Sequence, residues 1–190
     1  MFRDTNSISL RNTICFTRVS YFLRHLLDLL FHHSQIMNTY LTLKSIHLLG
    51  VIIFLGNIIV TGWWKVMADR TKNPIIIAFA QRQVTLTDYI FTTGGIILIL
   101  IGGLGNAMNM EFFNLRWLMW GYGLFAISGL IWLFILIPVQ IKQTQLAKQF
   151  SEGGVIPEKY WRLEKIWLIF GTLATILPLI IIYWMVFKPA

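Results

Sequence analysis

Four long runs of apolar residues constrain the fold of this chain more than any other feature of its sequence. They lie at about residues 40–64, 88–105, 117–138 and 166–187. A helix rises about 1.5 Å per residue, so a run of about twenty residues crosses the roughly 30 Å hydrocarbon core of a bilayer. The runs are longer than the strands of a membrane barrel and lack their alternation of polar and apolar residues. The sequence therefore predicts an all-α fold, a four-helix transmembrane bundle.

The composition excludes a soluble fold and several kinds of site. Apolar residues make up 56% of the 190 residues and charged residues only 13%, with a mean hydropathy of +0.67, which lies outside the usual soluble range. A single cysteine, Cys15, excludes an intrachain disulfide and a cysteine-based metal cluster. The net charge is +8, but the basic residues are scattered between apolar segments, whereas a nucleic-acid reader concentrates them on one polar face. We expect the lipid bilayer as the environment and no nucleic-acid partner.

Residues 1–36 form a leader that differs from the four spans. Its apolar patch, residues 21–31, is too short to cross a bilayer and is interrupted by Arg24, His25 and Asp28. The leader also lacks the small-residue cleavage site of a secretory signal. It is therefore an amphipathic helix in the membrane interface or a disordered segment, or the protein starts at Met37, directly before the first span. We prefer the start at Met37, with residues 37–190 as the membrane domain.

The basic residues are concentrated between spans one and two and between spans three and four. Nine of the sixteen lysines and arginines lie there: Lys65, Arg70, Lys72, Arg82, Lys142, Lys148, Lys159, Arg162 and Lys165. On the opposite side, a chain that starts at Met37 has only Lys44, Arg116 and Lys188. By the positive-inside rule, the two basic loops lie in the cytoplasm and both termini lie outside.

Span one carries a polar stripe. Its residues recur at intervals of three and four and therefore share one face of a helix: Lys44, His47, Gly50, Phe54, Asn57 and Thr61. Such a face is costly in lipid, so we expect it to face the bundle interior or a wet cavity. His47 is then either a ligand to a cofactor held between helices or a buried histidine that bonds a neighbouring hydroxyl or carbonyl.

Span two carries four glycines along one side, Gly94, Gly95, Gly102 and Gly103. Glycine lets another helix, or a flat cofactor, approach closely, and close packing of a helix is the commoner use. Asp88 stands at the predicted start of this span. We expect it to cap the positive N-terminal end of the helix, with proton relay as the alternative.

Span four contains Pro178 on the same stripe as Gly171 and Thr175. A proline inside a helix removes an N–H group and frees the carbonyl one turn earlier. We expect Thr175 or a neighbouring helix to satisfy that carbonyl.

Two further groups have the chemistry of metal ligands. Met108 and Met110 form a Met-x-Met pair in the outer loop, a spacing that suits a cuprous ion, although two thioethers alone make a weak site. His25, His32 and His33 lie in the leader without partner ligands. The sequence contains no nucleophile with its base, no paired-carboxylate site and no phosphate-binding loop.

Motifs in all four spans carry a resemblance to a known family. They are Lys44-Ser-Ile-His47-Leu-Leu-Gly50 with Gly56 and Trp63, Asp88-Tyr-Ile-Phe-Thr-Thr-Gly94, Gly129-Leu-Ile-Trp132, and Trp167 through Met185-Val-Phe-Lys188-Pro189. Together they resemble a bacterial family of predicted integral membrane proteins, domain-of-unknown-function family 2269, over roughly residues 37–190. The resemblance implies a multi-pass protein of the bacterial inner membrane and brings no activity with it.

More distantly, the first span is similar to HemJ-type protoporphyrinogen oxidases and CopD-type copper-resistance membrane proteins, through its Lys44-x-x-His47-x-x-Gly50 pattern. The first-span histidine of the oxidases is implicated in haem ligation, so the resemblance implies His47 as an axial ligand. This chain departs from the oxidases because it lacks their arginine after Asn57 and has no second histidine in its spans. A haem would need a lysine, a methionine, a dimer partner or an open position as its second ligand.

Two hypotheses follow for the function. In the first, the chain is a membrane oxidoreductase that binds haem b through His47, with Lys44 near a propionate and the four glycines of span two making room for the porphyrin. Its partner is a second copy or another membrane redox protein. In the second, the chain is a non-enzymatic membrane protein: a scaffold, a permease subunit or a copper-handling protein. The polar stripe of span one is then a packing contact.

Overall fold

The computed structural model describes the backbone of residues 6–109 and 115–188 and, within those ranges, the side chains from Gln35 onward. These residues form four helices and no strand: α1, Asn6–Arg70; α2, Pro74–Asn109; α3, Arg116–Gln149; and α4, Glu158–Phe187. Counting α1 from Gln35, all four are long and apolar enough to cross a membrane. The predicted all-α fold with four spanning helices is confirmed.

Internal contacts divide the chain into two units, residues 1–42 and 43–190. In the first unit the backbone is helical from Asn6 onward, and the hydroxyl of Thr39 donates to the Gln35 carbonyl one turn earlier. The faces predicted for the leader, with Arg24, His25 and Asp28, lie outside the described side chains, so the start at Met37 stays a prediction. Every contact discussed below lies within the second unit.

The helices extend beyond the predicted spans on the side of the two basic loops. α1 continues to Arg70 and α2 already begins at Pro74, so only residues 71–73 connect them. In the same way α3 continues to Gln149, and residues 150–157 lead into α4. The predicted span ends at about 64, 88, 138 and 166 lie inside these longer helices, and the place where each helix leaves the membrane stays a prediction. The extensions contain polar side chains that form hydrogen bonds with other helices. Such residues lower the mean hydropathy by which a span is recognised in the sequence.

The predicted role of Asp88 as a helix cap is wrong. The cap of α2 is Asn73, whose side-chain oxygen accepts hydrogen bonds from the backbone N–H groups of Ile75 and Ile76, at 3.0 and 3.4 Å. Pro74 follows at the first helical position, where its missing N–H costs nothing. A 14-residue stretch, Pro74–Thr87, precedes Asp88 in the helix. Asp88 is therefore an interior residue of α2.

Two of the helices contain a π-helical turn. In α2 the turn is Asp88–Thr92, and in α3 it is Trp132–Leu136. A π turn inserts one extra residue into an α-helix and often occurs at functional sites. Both turns lie beside the same cavity, because Asp88, Thr92 and Trp132 all line it.

α1 and α2 make their closest approach along the predicted glycine side of α2. A Cβ atom on Gly102 would lie 2.5 Å from the backbone nitrogen of His47, and one on Gly95 would lie 2.8 Å from the Cβ of Phe54. Gly103 meets the ring of His47 instead, at 3.0 Å, whereas Gly94 has nothing within 4 Å. Three of the four glycines therefore serve helix packing.

α4 shows how the bundle compensates for an internal proline. Pro178 has no N–H group to donate to the carbonyl of Ala174, four residues earlier. The hydroxyl of Ser128 on α3 donates to that carbonyl at 2.8 Å. Thr175 donates instead to the Gly171 carbonyl, at 2.8 Å. The prediction that a neighbouring helix satisfies the freed carbonyl is confirmed, and Thr175 is the alternative that the structure does not use.

Candidate functional site

A buried carboxylate, Asp88, joins three helices. Its Oδ1 accepts hydrogen bonds from the Asn57 amide on α1, at 3.0 Å, and from the Thr92 hydroxyl within its own π turn, at 2.9 Å. Its Oδ2 accepts from the Gln140 amide on α3, at 2.6 Å. A carboxyl group inside a membrane bundle is costly unless it is hydrogen-bonded. Three donors from three helices hold this one in place.

Asn57 makes two further hydrogen bonds. Its amide also donates to the hydroxyl of Thr92, at 2.9 Å, and its carbonyl accepts from the hydroxyl of Thr61, at 2.6 Å. Asn57 and Thr61 belong to the polar stripe predicted on span one, and both face the other helices, as that prediction requires.

A cavity of about 720 Å³ lies against this carboxylate, and we call it the lateral cleft. Apolar and aromatic side chains dominate its walls, including Phe54, Ile96, Phe125, Trp132, Leu136 and Trp167. Its lining also includes residues exposed on the outer surface of the bundle, Ile59, Val60, Trp63 and Trp64 on α1 and Leu168 and Ile176 on α4. The lateral cleft therefore opens to the lipid-facing surface between α1 and α4 and ends at Asp88.

One hydrogen-bond donor in the wall of the lateral cleft has no partner. The indole nitrogen of Trp167 is buried and makes no hydrogen bond within the described part of the chain, whereas the indole of Trp132 interacts with the carboxyl group of Asp88. Buried indole N–H groups usually find an acceptor. A ligand with an oxygen acceptor would satisfy Trp167.

A second polar site lies about 12 Å further along α1, eight residues from Asn57, toward the basic loops. We call it the basal cluster and define it by Lys65, Asp69, Gln81, Gln143, Tyr160 and Glu164. The Lys65 ammonium lies 2.6 Å from Glu164 Oε2 and 3.8 Å from Asp69 Oδ2. It also donates to the Tyr160 hydroxyl at 3.0 Å. Residues of all four helices meet here, and Lys65 is completely buried.

The hydrogen bonding of the basal cluster is incomplete. Gln143 donates to Glu164 Oε2 at 2.7 Å, and the Tyr160 hydroxyl donates to Gln81 at 3.4 Å. Within the described residues, however, four buried oxygens have no donor: both carboxylate oxygens of Asp69, Oε1 of Gln143 and Oε1 of Glu164. The cluster has more acceptors than donors.

The structure separates the predicted haem residues from the lateral cleft. His47 Nδ1 lies 3.0 Å from the Ile99 carbonyl, which is the alternative role considered for this histidine. α1 fills the space beside Gly95, Gly102 and Gly103, as described above, and Gly94 makes no close contact. Lys44 is exposed. The space predicted for a porphyrin beside these glycines is thus filled by a helix, and the structure does not support haem binding there.

The predicted metal ligands contribute little to the described structure. Met108 is exposed at the end of α2, whereas Met110 and the side chains of His25, His32 and His33 lie outside the described residues. Among the residues that are described, no group of three or more histidine, cysteine, aspartate and glutamate side chains could hold a metal ion.

The basal cluster is not among the sites predicted from the sequence, although the sequence contains a signal for it. The predicted polar stripe of span one ends at Thr61, but its spacing continues by four residues to Lys65 and by four more to Asp69. The sequence prediction places Lys65 in a basic loop instead. The same spacing links Gln81, Thr85, Asp88 and Thr92 on α2.

Comparisons with known proteins give one match. A family model described as a predicted integral membrane protein (DUF2269) matches residues 41–189. No curated protein and no solved structure matches the chain. The resemblance to HemJ-type and CopD-type proteins receives no support from these comparisons.

Proposed function

The chain belongs to the DUF2269 family of predicted integral membrane proteins, and from that premise we propose that it is a non-enzymatic binding protein for a neutral, lipid-soluble molecule. The ligand enters the lateral cleft from the bilayer, between α1 and α4. The observation that carries the proposal is the cavity of about 720 Å³ that leads from the lipid-facing surface to a buried polar wall. Ligand sites of about 300–1,000 Å³ with mostly apolar walls and a few polar groups are typical of proteins.

The hydrogen-bonding groups of the cleft determine the chemistry of the ligand. Asp88 accepts three hydrogen bonds and also interacts with the indole of Trp132, so little of its carboxyl group is left for a cationic ligand. The group without a partner is a donor, the indole nitrogen of Trp167. A molecule with a carbonyl, ether or hydroxyl oxygen and an otherwise apolar body complements this site, and its rings would stack against Phe54 and Phe125.

Photolabelling with an alkyl benzophenone tests the proposal. This probe is neutral and lipid-soluble, carries one carbonyl acceptor and couples to nearby C–H bonds under light. In protein reconstituted into nanodiscs, we expect saturable labelling of the residues that line the lateral cleft on α1 and α4, located by mass spectrometry. Trp167→Phe removes one donor and should raise the probe concentration at half-saturation about five-fold. This factor corresponds to the loss of one hydrogen bond of about 1 kcal/mol.

A pair of glycine variants distinguishes labelling within the lateral cleft from labelling of the lipid-facing surface in general. Gly171 lines the lateral cleft and Gly123 lies on the outside of α3, and a Cβ atom on either would meet nothing within 4 Å. Gly171→Leu should fill the cleft and abolish saturable labelling, whereas Gly123→Leu should leave it unchanged. Equal labelling of both variants, or labelling that does not saturate, would contradict the proposal.

Haem ligation by His47 is the second candidate, and one observation favours it. If Nδ1–H donates to the Ile99 carbonyl, Nε2 keeps its lone pair, and haem and metal ligands commonly have this arrangement. Neither of the two cavities described for the bundle is lined by His47. Protein purified from haem-replete cells should show a Soret band that is lost in His47→Ala if the candidate is right, and a colourless protein would eliminate it.

A further inference from the structure

We propose that the basal cluster is a proton-binding site, in which one exchangeable proton is held between the carboxyl groups of Asp69 and Glu164. The site is separate from the lateral cleft and does not depend on the ligand proposed for it.

The charges that meet in the basal cluster do not balance. α1 contributes one ammonium and one carboxyl group, Lys65 and Asp69, and α4 contributes the carboxyl group of Glu164 and the neutral phenol of Tyr160. α2 and α3 contribute only the uncharged amides of Gln81 and Gln143. One positive and two negative charges leave an excess of one negative charge in a buried site.

One further cation acts on the cluster from the adjacent loop. Lys72 interacts electrostatically with Asp69, but its ammonium lies 4.0 Å from the centre of the Trp161 ring and makes no ion pair with Asp69 among the described residues. The negative charge is therefore left for a smaller cation to neutralise. An uncompensated charge is costly at such a depth.

The unpartnered oxygens indicate that this cation is a proton. Asp69 and Glu164 lie within hydrogen-bonding reach of each other, yet two ionised carboxylates have no donor between them. A single shared proton turns one of them into a donor and gives the other a hydrogen bond. The amide of Gln143, fully buried and bonded to Glu164 through its nitrogen, still has a free Oε1, which can accept from a water molecule that accompanies the proton.

The ligand set argues against a metal ion. The Lys65 ammonium, 2.6 Å from Glu164, already occupies the side of this carboxylate where a metal would bind. A divalent ion usually needs six or more oxygen ligands or at least three strong ones, and the basal cluster offers two carboxyl groups beside a fixed positive charge.

The proton exchanges through Asp69. The side chain of Asp69 is 12% exposed, compared with 5% for Glu164 and 1% for Lys65. Asp69 also lies one residue before the end of α1, next to the short loop of residues 71–73. The two carboxyl oxygens of Asp69 are themselves buried, but its side chain is the one that comes nearest to water at this end of the bundle, and Glu164 shares the proton from behind it.

Infrared difference spectroscopy of the full chain in lipid tests the proposal. A protonated carboxyl group has a C=O stretching band that an ionised carboxylate lacks and that shifts in heavy water. We expect the unaltered protein to show such a band in the neutral range and to lose it reversibly as the pH is raised. In Asp69→Asn the charges of Lys65 and Glu164 balance, so the band should disappear. Glu164→Gln should remove it for the same reason.

Two further variants provide the controls. Glu158→Gln alters an exposed ion pair with Arg162 and should leave the band unchanged. Asp88→Asn removes a buried carboxyl group outside the basal cluster and should also leave the titrating band in place. The proposal is overturned if the unaltered protein has no protonated carboxyl group in this range. It is also overturned if the band survives in both Asp69→Asn and Glu164→Gln, or is lost in Asp88→Asn.

Discussion

Lys65 and Asp88 show how this bundle accommodates charged side chains among apolar helices. Neither faces lipid: Asp88 receives three hydrogen bonds, and Lys65 has two carboxyl groups and a phenol around it. The aromatic faces of Tyr160 and Trp167 lie 5.2 and 5.3 Å from the same ammonium and add cation–π attraction. Each charge is therefore fixed by several elements, so its position is part of the fold.

Glycine at position 102 is predicted to be essential for the contact between α1 and α2. In Gly102→Ala the new methyl group would lie 2.5 Å from the backbone nitrogen of His47, and backbone cannot move aside as a side chain can. Overpacking of this kind costs about 1–3 kcal/mol. We expect a lower thermal midpoint in detergent, followed by tryptophan fluorescence.

Gly94 provides the matched control on the same helix. A methyl group there has nothing within 4 Å, and alanine is the better helix former. Gly94→Ala should therefore keep or slightly raise the thermal midpoint. An equal fall of the thermal midpoint in Gly102→Ala and Gly94→Ala would mean that the glycines matter for the α2 helix itself rather than for its contact with α1.

At this scale the sequence predicts which residues face inward better than it predicts their partners. The interval of three and four placed Asn57 and Thr61 correctly among the other helices. It could not show that Asn57 would meet Asp88, because the two are brought together only by the register between α1 and α2. His47 could be placed near glycines, but the sequence does not show whether a helix or a cofactor fills the space beside them.

At the scale of the helices, the carbonyl freed by Pro178 depends on a single donor from α3. Ser128→Ala removes the hydroxyl that bonds to the Ala174 carbonyl and should lower the free energy of unfolding by about 1 kcal/mol, the usual value of a hydrogen bond within a membrane bundle or slightly more. In a Pro178→Ala background, residue 178 regains an N–H group that can donate to the same carbonyl, so Ser128→Ala should cost much less. Unfolding of the four proteins in a double-mutant cycle measures the difference.

Thr175→Val is the control for this cycle. Thr175 donates to the Gly171 carbonyl of its own helix, which the proline does not deprive of a partner. Thr175→Val should lower the free energy of unfolding by the same amount with and without Pro178. Strict additivity of Ser128→Ala and Pro178→Ala would show that the hydroxyl does not compensate for the proline.

The ends of the helices were the least predictable part of the elements. Hydropathy identified the apolar middle of each helix, but the polar residues that follow it looked like loop. Gln81 and Gln143 are completely buried because they bond across the bundle. A window that averages over all faces of a helix cannot distinguish a polar residue that faces a partner from one that faces water.

For the whole molecule, as far as its residues are described, the side-chain hydrogen bonds and ion pairs that join helices are concentrated in the half of the bundle toward the two basic loops. In the other half close packing brings the backbones together, with Gly102 against His47 and Gly50 against Ile99. The lateral cleft lies on the polar side of this division, because its walls begin near Phe54 and reach Val66 on α1. A site that needs both lipid access and polar groups fits best at this boundary.

The orientation of the whole molecule is the last prediction, and it determines which compartment the basal cluster exchanges protons with. Because nine basic residues lie on the side of residues 71–73 and 150–157, we expect that side in the cytoplasm. Single cysteines at Met108 and Val155, 69% and 91% exposed, report the two sides in a chain that carries Cys15→Ser. In intact spheroplasts, a membrane-impermeant maleimide should label the cysteine at 108 and reach the one at 155 only after permeabilisation. The reverse pattern would place the basal cluster, with Asp69, on the outer side of the membrane and would contradict the positive-inside prediction. It would not bear on proton binding by the cluster, which the infrared band tests separately.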